Sequence, residues 1–152
     1  LRISVLFVIA SLLPSLSAAE SCTLQNNYCV PLIGCTVDGK DYFMGQTYGK
    51  RSGPIIARSW SGSECKGRWW RTAIGTGKAE FSCTDGNEGR ATFSYVDSAS
   101  GTVLGRGRLA SGDRMRFWAG HKVLPYVLED EDERVEMIAC VSRALKDGLG
   151  AN

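Results

Sequence analysis

The chain has 152 residues, with 18 Lys and Arg against 16 Asp and Glu, for a formal net charge of +2. So small a charge excludes nucleic-acid binding by global attraction, and any electrostatic function must come from local clustering. A zinc site needs closely paired ligands, whereas the closest cysteine spacings here are six and seven and His121 is the single histidine.

Arg2, the apolar run from Ile3 to Leu13, the break at Pro14-Ser15 and the small residues Ser17-Ala18-Ala19 have the layout of a signal peptide over residues 1–19, cut after Ala19. The alternative is an N-terminal membrane anchor, but an apolar core of about eleven residues falls well short of the roughly twenty that span a bilayer. The expectation is one exported domain over 20–152, periplasmic or secreted, with no transmembrane span in the mature chain. All six cysteines (Cys22, Cys29, Cys35, Cys65, Cys83 and Cys140) fall within it. An even count in a small exported domain reads as up to three disulfides, and fifteen connectivities are formally open. The preferred set is a local bridge within 22–35, a Cys65–Cys83 clamp, and Cys140 tying the C-terminal segment to the body.

Residues 20–40, rich in Cys, Asn and Gly, read as a disulfide-held loop. Short β-like pieces follow at Tyr42-Phe43-Met44, Ile55-Ile56-Ala57 and Arg68 to Thr72, separated by glycine and proline breaks. From Lys78 to Trp118, turn signals at 84–88, 98–100 and 110–112 separate four strand-like runs. If Asp97 opposes Gly101 and Leu109 opposes Asp113, then Tyr95 faces Val103, Phe93 and Phe117 face Gly105, and Ala91 and Met115 face Gly107. With Ser82 opposite Arg90, Phe81 falls beside Ala91. One face then gathers Ala79, Phe81, Ala91, Phe93, Tyr95, Val103, Leu109, Met115 and Phe117, with Gly105 and Gly107 leaving room for the rings of Phe93 and Phe117.

A further strand is expected at 123–128, confined by Pro125 to an edge or bulge. A helix over about 130–147 follows. Acidic residues 129–133 sit at its N-terminus, Val135, Ile138, Val141, Leu145 and Leu149 make its apolar stripe, and Cys140 lies near the stripe's edge. The fold class is therefore mainly β: an antiparallel meander or small barrel with one C-terminal α-helix, stabilised by disulfides.

The same register places Arg90, Arg106, Arg108, Arg114 and Arg116 on the opposite face, with Arg108 across from Arg114, Arg106 across from Arg116, and Trp118 across from Leu104. Like charges directly opposed cost stability, and an anionic partner offsets that cost; the arginine fork suits phosphate and carboxylate. Trp118 would stack a sugar or another planar group. The expected partner is an anionic envelope glycan, a lipid headgroup or an acidic protein. The alternative is a solvated surface paired internally by Glu80 and the run 129–133. Of the adjacent Trp69 and Trp70, one must point outward if both lie on a strand, and that one is the better ligand candidate. His121 has no recognisable nucleophile pattern to serve, and 129–133 lacks the glycine and ligand spacing of a calcium loop. The expectation is a non-enzymatic protein without cofactor or metal.

Cys65-Lys66-Gly67-Arg68-Trp69, Cys83-Thr84-Asp85-Gly86, the strand at 105–107 and Phe117-Trp118-Ala119-Gly120 together resemble small exported bacterial β proteins to which no activity is assigned. The likeness covers roughly residues 62–128. The chain also resembles the periplasmic inhibitors of c-type lysozyme, which are exported, disulfide-bonded antiparallel barrels with a Ser-Gly-x-x-Tyr inhibitory loop. That resemblance implies an inhibitory role for the turn at Ser111 and Gly112, where Met115 stands in place of the tyrosine.

Overall fold

The computed structural model describes residue 22, residues 28–127 and residues 134–149. Residues 1–19 and the acidic run 129–133, read above as signal peptide and helix start, lie outside the described residues. Eight antiparallel strands follow one another as β1 (Cys29–Thr36), β2 (Tyr42–Tyr48), β3 (Ser52–Ser59), β4 (Glu64–Arg71), β5 (Gly77–Cys83), β6 (Glu88–Asp97), β7 (Thr102–Leu109) and β8 (Arg114–Ala119). Each pairs with its neighbour in sequence, and β1 pairs with β8 to close a barrel. The segment read as a loop over 20–40 therefore contains the strand that seals the sheet.

Alternation sorts the side chains of every strand. Ile55, Ala57, Cys65, Trp69, Leu109 and Met115 point inward and are buried. The expected pairings Tyr95–Val103, Phe93–Gly105, Ala91–Gly107, Gly105–Phe117 and Gly107–Met115 are all present. Two registers differ. Phe81 opposes Gly89, not Ala91, a shift of two residues that leaves its face unchanged. Asp97 opposes Thr102, not Gly101, because a bulge between Tyr95 and Asp97 absorbs one residue.

The glycines on inward positions make room for rings, though not all as expected. A Cβ on Gly34 would lie 2.6 Å from Phe117 Cε1, and one on Gly107 2.7 Å from Phe117 Cε2, so the Phe117 ring fills the space left on both sides of its own strand. The Phe93 ring fills the place of a Gly77 side chain, whereas a Cβ on Gly105 would meet the Thr92 carbonyl oxygen and the Cβ atoms of Phe93 and Phe117, not their rings. Phe81, Phe117 and Phe43 continue this packing edge to face or tilted, with centroids 5.6 and 6.1 Å apart.

After β8 the chain turns at Gly120, whose φ of +122° is a conformation few other residues adopt, and which packs on Thr102. Leu124–Val127 is then a short helix, α1, in place of the expected edge strand. Pro125 sits in its first turn, where a missing N–H costs nothing. The long helix α2 (Arg134–Leu149) lies on the outside of the barrel over β1 and β2. Its buried face is Met137, Cys140, Val141 and Ala144, while Val135 is 75% exposed. The apolar stripe is thus rotated from the one expected, and Cys140 lies at its centre, not its edge. The face packs on Ile33, Cys35, Tyr42 and Trp118. Arg143 adds a hydrogen bond to the Gly39 carbonyl and stacks over Trp60.

The disulfides are Cys22–Cys29, Cys35–Cys140 and Cys65–Cys83. These match the preferred set. Cys65 and Cys83 sit directly opposite each other on β4 and β5, inside the barrel. Cys35 points outward and bolts α2 to the wall.

The ring-for-glycine packing predicts a non-additive pair. Phe117→Ala should cost about 3–5 kcal/mol. Gly34→Ala should cost about 1–3 kcal/mol in the native chain and close to nothing in the Phe117→Ala background. Urea denaturation of the four proteins measures the coupling, and simple additivity would contradict this account.

Candidate functional site: a basic stripe on the barrel wall

The outward positions of β4 to β8 fall into two parallel rows. The first runs Arg68, Glu80, Arg90, Arg108, Arg114, each residue directly opposite the next. The second runs Trp70, Lys78, Thr92, Arg106, Arg116. Adjacent strands lie about 4.8 Å apart, so the Arg90, Arg108 and Arg114 side chains leave the wall as close neighbours. A shallow groove follows these rows, bordered also by Val37.

Glu88 borders the first row two residues from Arg90 on β6, while Glu80, Asp38 and Asp113 have partners of their own. Glu80 lies opposite Arg90, but its carboxylate is taken by Arg68, whose Nε donates to Oε1 at 2.8 Å. Asp38 accepts from the Thr36 hydroxyl and pairs with Lys40 at 3.0 Å, and these contacts hold its carboxyl down at about 2. Asp113 accepts from the Ser111 hydroxyl at 2.6 Å. Among the described residues neither Arg90 nor Arg106 has a carboxylate partner, and Arg108 donates only to the Gly112 carbonyl, at 3.2 Å. The stripe therefore keeps a concentrated positive field on a chain of nearly balanced charge. Of the internal pairing weighed above, that of Glu80 is seen, with Arg68, and the run 129–133 lies outside the described residues.

Arg90, Arg106, Arg108, Arg114 and Arg116 thus share one outer face. Trp118 does not join them as a stacking surface. Its position points outward, but α2 lies over it and leaves it 4% exposed in the cluster with Met137 and Val141. The aromatic group at the stripe is Trp70, half-buried, with the Arg68 guanidinium 5.1 Å from its ring centre. Its neighbour Trp69 points inward and donates from Nε1 to the Tyr48 carbonyl at 2.7 Å. Arg68 and Trp70, on β4, are the residues that reading only β5 to β8 leaves out; the facing pair Cys65–Cys83, which fixes the β4–β5 register, is the signal that finds them.

Ser111 and Gly112 sit in the exposed β7–β8 hairpin, at one end of the barrel. Met115 is 1% exposed inside the barrel, so the side chain standing in place of the inhibitors' tyrosine is turned away from that hairpin's surface. His121 lies just beyond Gly120, its Nε2 buried without a hydrogen-bond partner among the described residues.

No protein-family model matches the chain, and no curated protein matches it. Among solved structures, it is similar to a de novo designed fluorescence-activating β-barrel, with 15% identity, a TM-score of 0.50, and coverage of 66% of this chain and all of that one. It also resembles the redesigned β-barrel mFAP1 bound to DFHBI, at 12% identity and a TM-score of 0.49, over 62% of this chain and 93% of the other. At such identities the likeness concerns the barrel fold alone.

Crowding of arginines carries a measurable cost. Arg108 stands between Arg90 and Arg114, and like charges opposed across strands destabilise by about 0.2–1 kcal/mol per pair. Arg108→Thr is expected to raise stability by about 0.5 kcal/mol in 20 mM salt, and the gain should vanish in 500 mM salt as the repulsion is screened. Denaturant midpoints at the two salt concentrations test this.

Proposed function

We propose that the protein is a non-enzymatic binding protein of the cell envelope that engages an anionic ligand through the stripe on β4 to β8. The carrying observation is the double row of outward Arg and Lys on adjacent strands, in which, among the described residues, Glu80 is the one carboxylate within the rows and is held by Arg68. Such an arrangement stores repulsion that a bound anion relieves. Arginine forks at this spacing suit phosphate or carboxylate groups borne by an envelope glycan, a lipid headgroup or an acidic protein. Trp70 at the end of the second row offers a flat surface for a sugar ring or other planar group.

Export is supported by the pairing of all six cysteines, since disulfides persist in oxidising compartments, together with the signal-like residues 1–19. Among the described residues no helix is long and apolar enough to cross a membrane. Inhibition of a wall-degrading hydrolase through Ser111 and Gly112 is the second reading. The exposed β7–β8 hairpin would present both residues, but Met115, buried within the barrel, leaves it without the family's tyrosine.

Three anionic probes separate the ligand sources: a phosphate-bearing wall glycan, phosphatidylglycerol vesicles and polyglutamate. Binding to at least one should weaken steeply between 50 and 300 mM salt. The pair Arg106→Ala and Arg108→Ala should weaken it by about tenfold or more, as loss of charge-assisted bonds requires. Binding indifferent to both salt and these substitutions would reject the stripe as the contact surface.

A further inference from the structure

The barrel interior is filled unevenly. Toward the end carrying the 36–42, 59–64, 83–88 and 109–114 connections, Phe43, Cys65 and Met115 are at most 2% exposed and close the core. Toward the other end, inward-facing Leu32, Thr47, Ala91, Phe93 and Tyr95 are only half-buried. They line an apolar cavity of about 80 Å³ that opens at that end. The wall is carbon almost throughout, with Thr47 and Tyr95 supplying the hydroxyl groups.

The mouth has the opposite chemistry. Arg71 is the last residue of β4 and shares the inward parity of Cys65 and Trp69, so its side chain leaves the wall on the lumen side. Its guanidinium lies over the Tyr95 ring, 4.2 Å from the centroid. Its backbone N–H donates to the Arg51 carbonyl at 2.8 Å, which brings a second cation to the same rim. Asp97, on the same rim, is bonded by the Ala99 and Ser100 N–H groups and paired with Lys122 at 3.6 Å. Among the described residues Arg71 has no carboxylate partner.

We propose that the lumen takes the alkyl chain of an anionic amphiphile, with the carboxylate held at the mouth by Arg71. Size selects the chain. An apolar cavity of about 150 Å³ accommodates benzene, and this one is roughly half that, so it encloses the inner end of a thin polymethylene chain, whose other methylenes would lie along the half-buried Phe93 and Tyr95 toward Arg71. Polarity selects the head group. An apolar bore leaves the tail no hydrogen-bonding demand, and a guanidinium at the entrance favours an anion over an alcohol or an ammonium. This site is separate from the stripe on the outer wall and does not depend on it.

Decanoate is the probe, titrated into the full oxidised chain by calorimetry and followed by methyl NMR. Saturable binding with shifts centred on the Ala79, Ala91 and Val103 methyl groups is expected. Arg71→Gln should weaken decanoate about tenfold while leaving 1-decanol unchanged. Ala91→Leu, which fills the bore, should abolish binding of both; Ala79→Val serves the same purpose with less added bulk and should weaken both. A thermal melt of each ligand-free variant confirms folding. No decanoate binding, shifts confined to the outer arginines, or binding undiminished in the folded filled variants would overturn the proposal. Lumen binding is read by calorimetry and methyl shifts, and the outer stripe by salt-sensitive binding to anionic probes, so either reading can fail without the other.

Discussion

The pairing of β1 with β8 is the constraint on which the rest of this structure depends. An open eight-stranded sheet would present one apolar face to water and two unpaired edges. Closure turns that face into an interior, removes both edges, and fixes which side chains lie outside. It also sets the curvature that brings Phe117 against Gly34 across the seam, so that a ring on the last strand fills a gap on the first. The seam is covered in turn by α2, and the Cys35–Cys140 bridge holds the helix there. Seam, helix and bridge form one unit, since Ile33, Cys35 and Trp118 all point outward beneath Met137 and Val141.

Closure also divides the outer wall. The arc made by β1, β2 and the upper part of β8 is apolar and is spent on holding the helix. The arc from β4 to the lower part of β8 is left to water and carries the basic rows. Alternation alone cannot distinguish these two arcs, because both consist of outward positions. The position of the helix decides that Trp118 is core while Arg116, two residues earlier on the same strand and face, is not.

That division explains what could be read from the sequence. Strands β6 to β8 each have one side in the barrel and one in solvent, so their residues alternate, and the turns between them fix the register nearly to the residue. Strand β1 is covered inside by the lumen residues and outside by α2. Its CVPLIGCT sequence accordingly lacks alternation, and covered strands read as continuous apolar runs or, when cysteines and glycine intrude, as loops. Periodicity locates a C-terminal helix but not its rotation, because Cys140 and Ala144 carry little hydrophobic weight yet are fully buried against the barrel. Small residues let a helix sit close, and a scale of apolarity overlooks them. Parity alone puts the five arginines on one side of the sheet, as the register has them, and the tryptophan beside them on the open wall is Trp70, because α2 covers Trp118.

The Cys35–Cys140 bridge joins residues 105 apart, and this separation orders the life of the chain. A cysteine that emerges early must wait, as a thiol, until nearly the whole polypeptide has followed it. Cys22 and Cys29 lie nearer to Cys35 in the chain, and in the folded protein they pair with each other. The native bridge cannot close before Cys140 exists, and once closed it ties the first strand to the last helix.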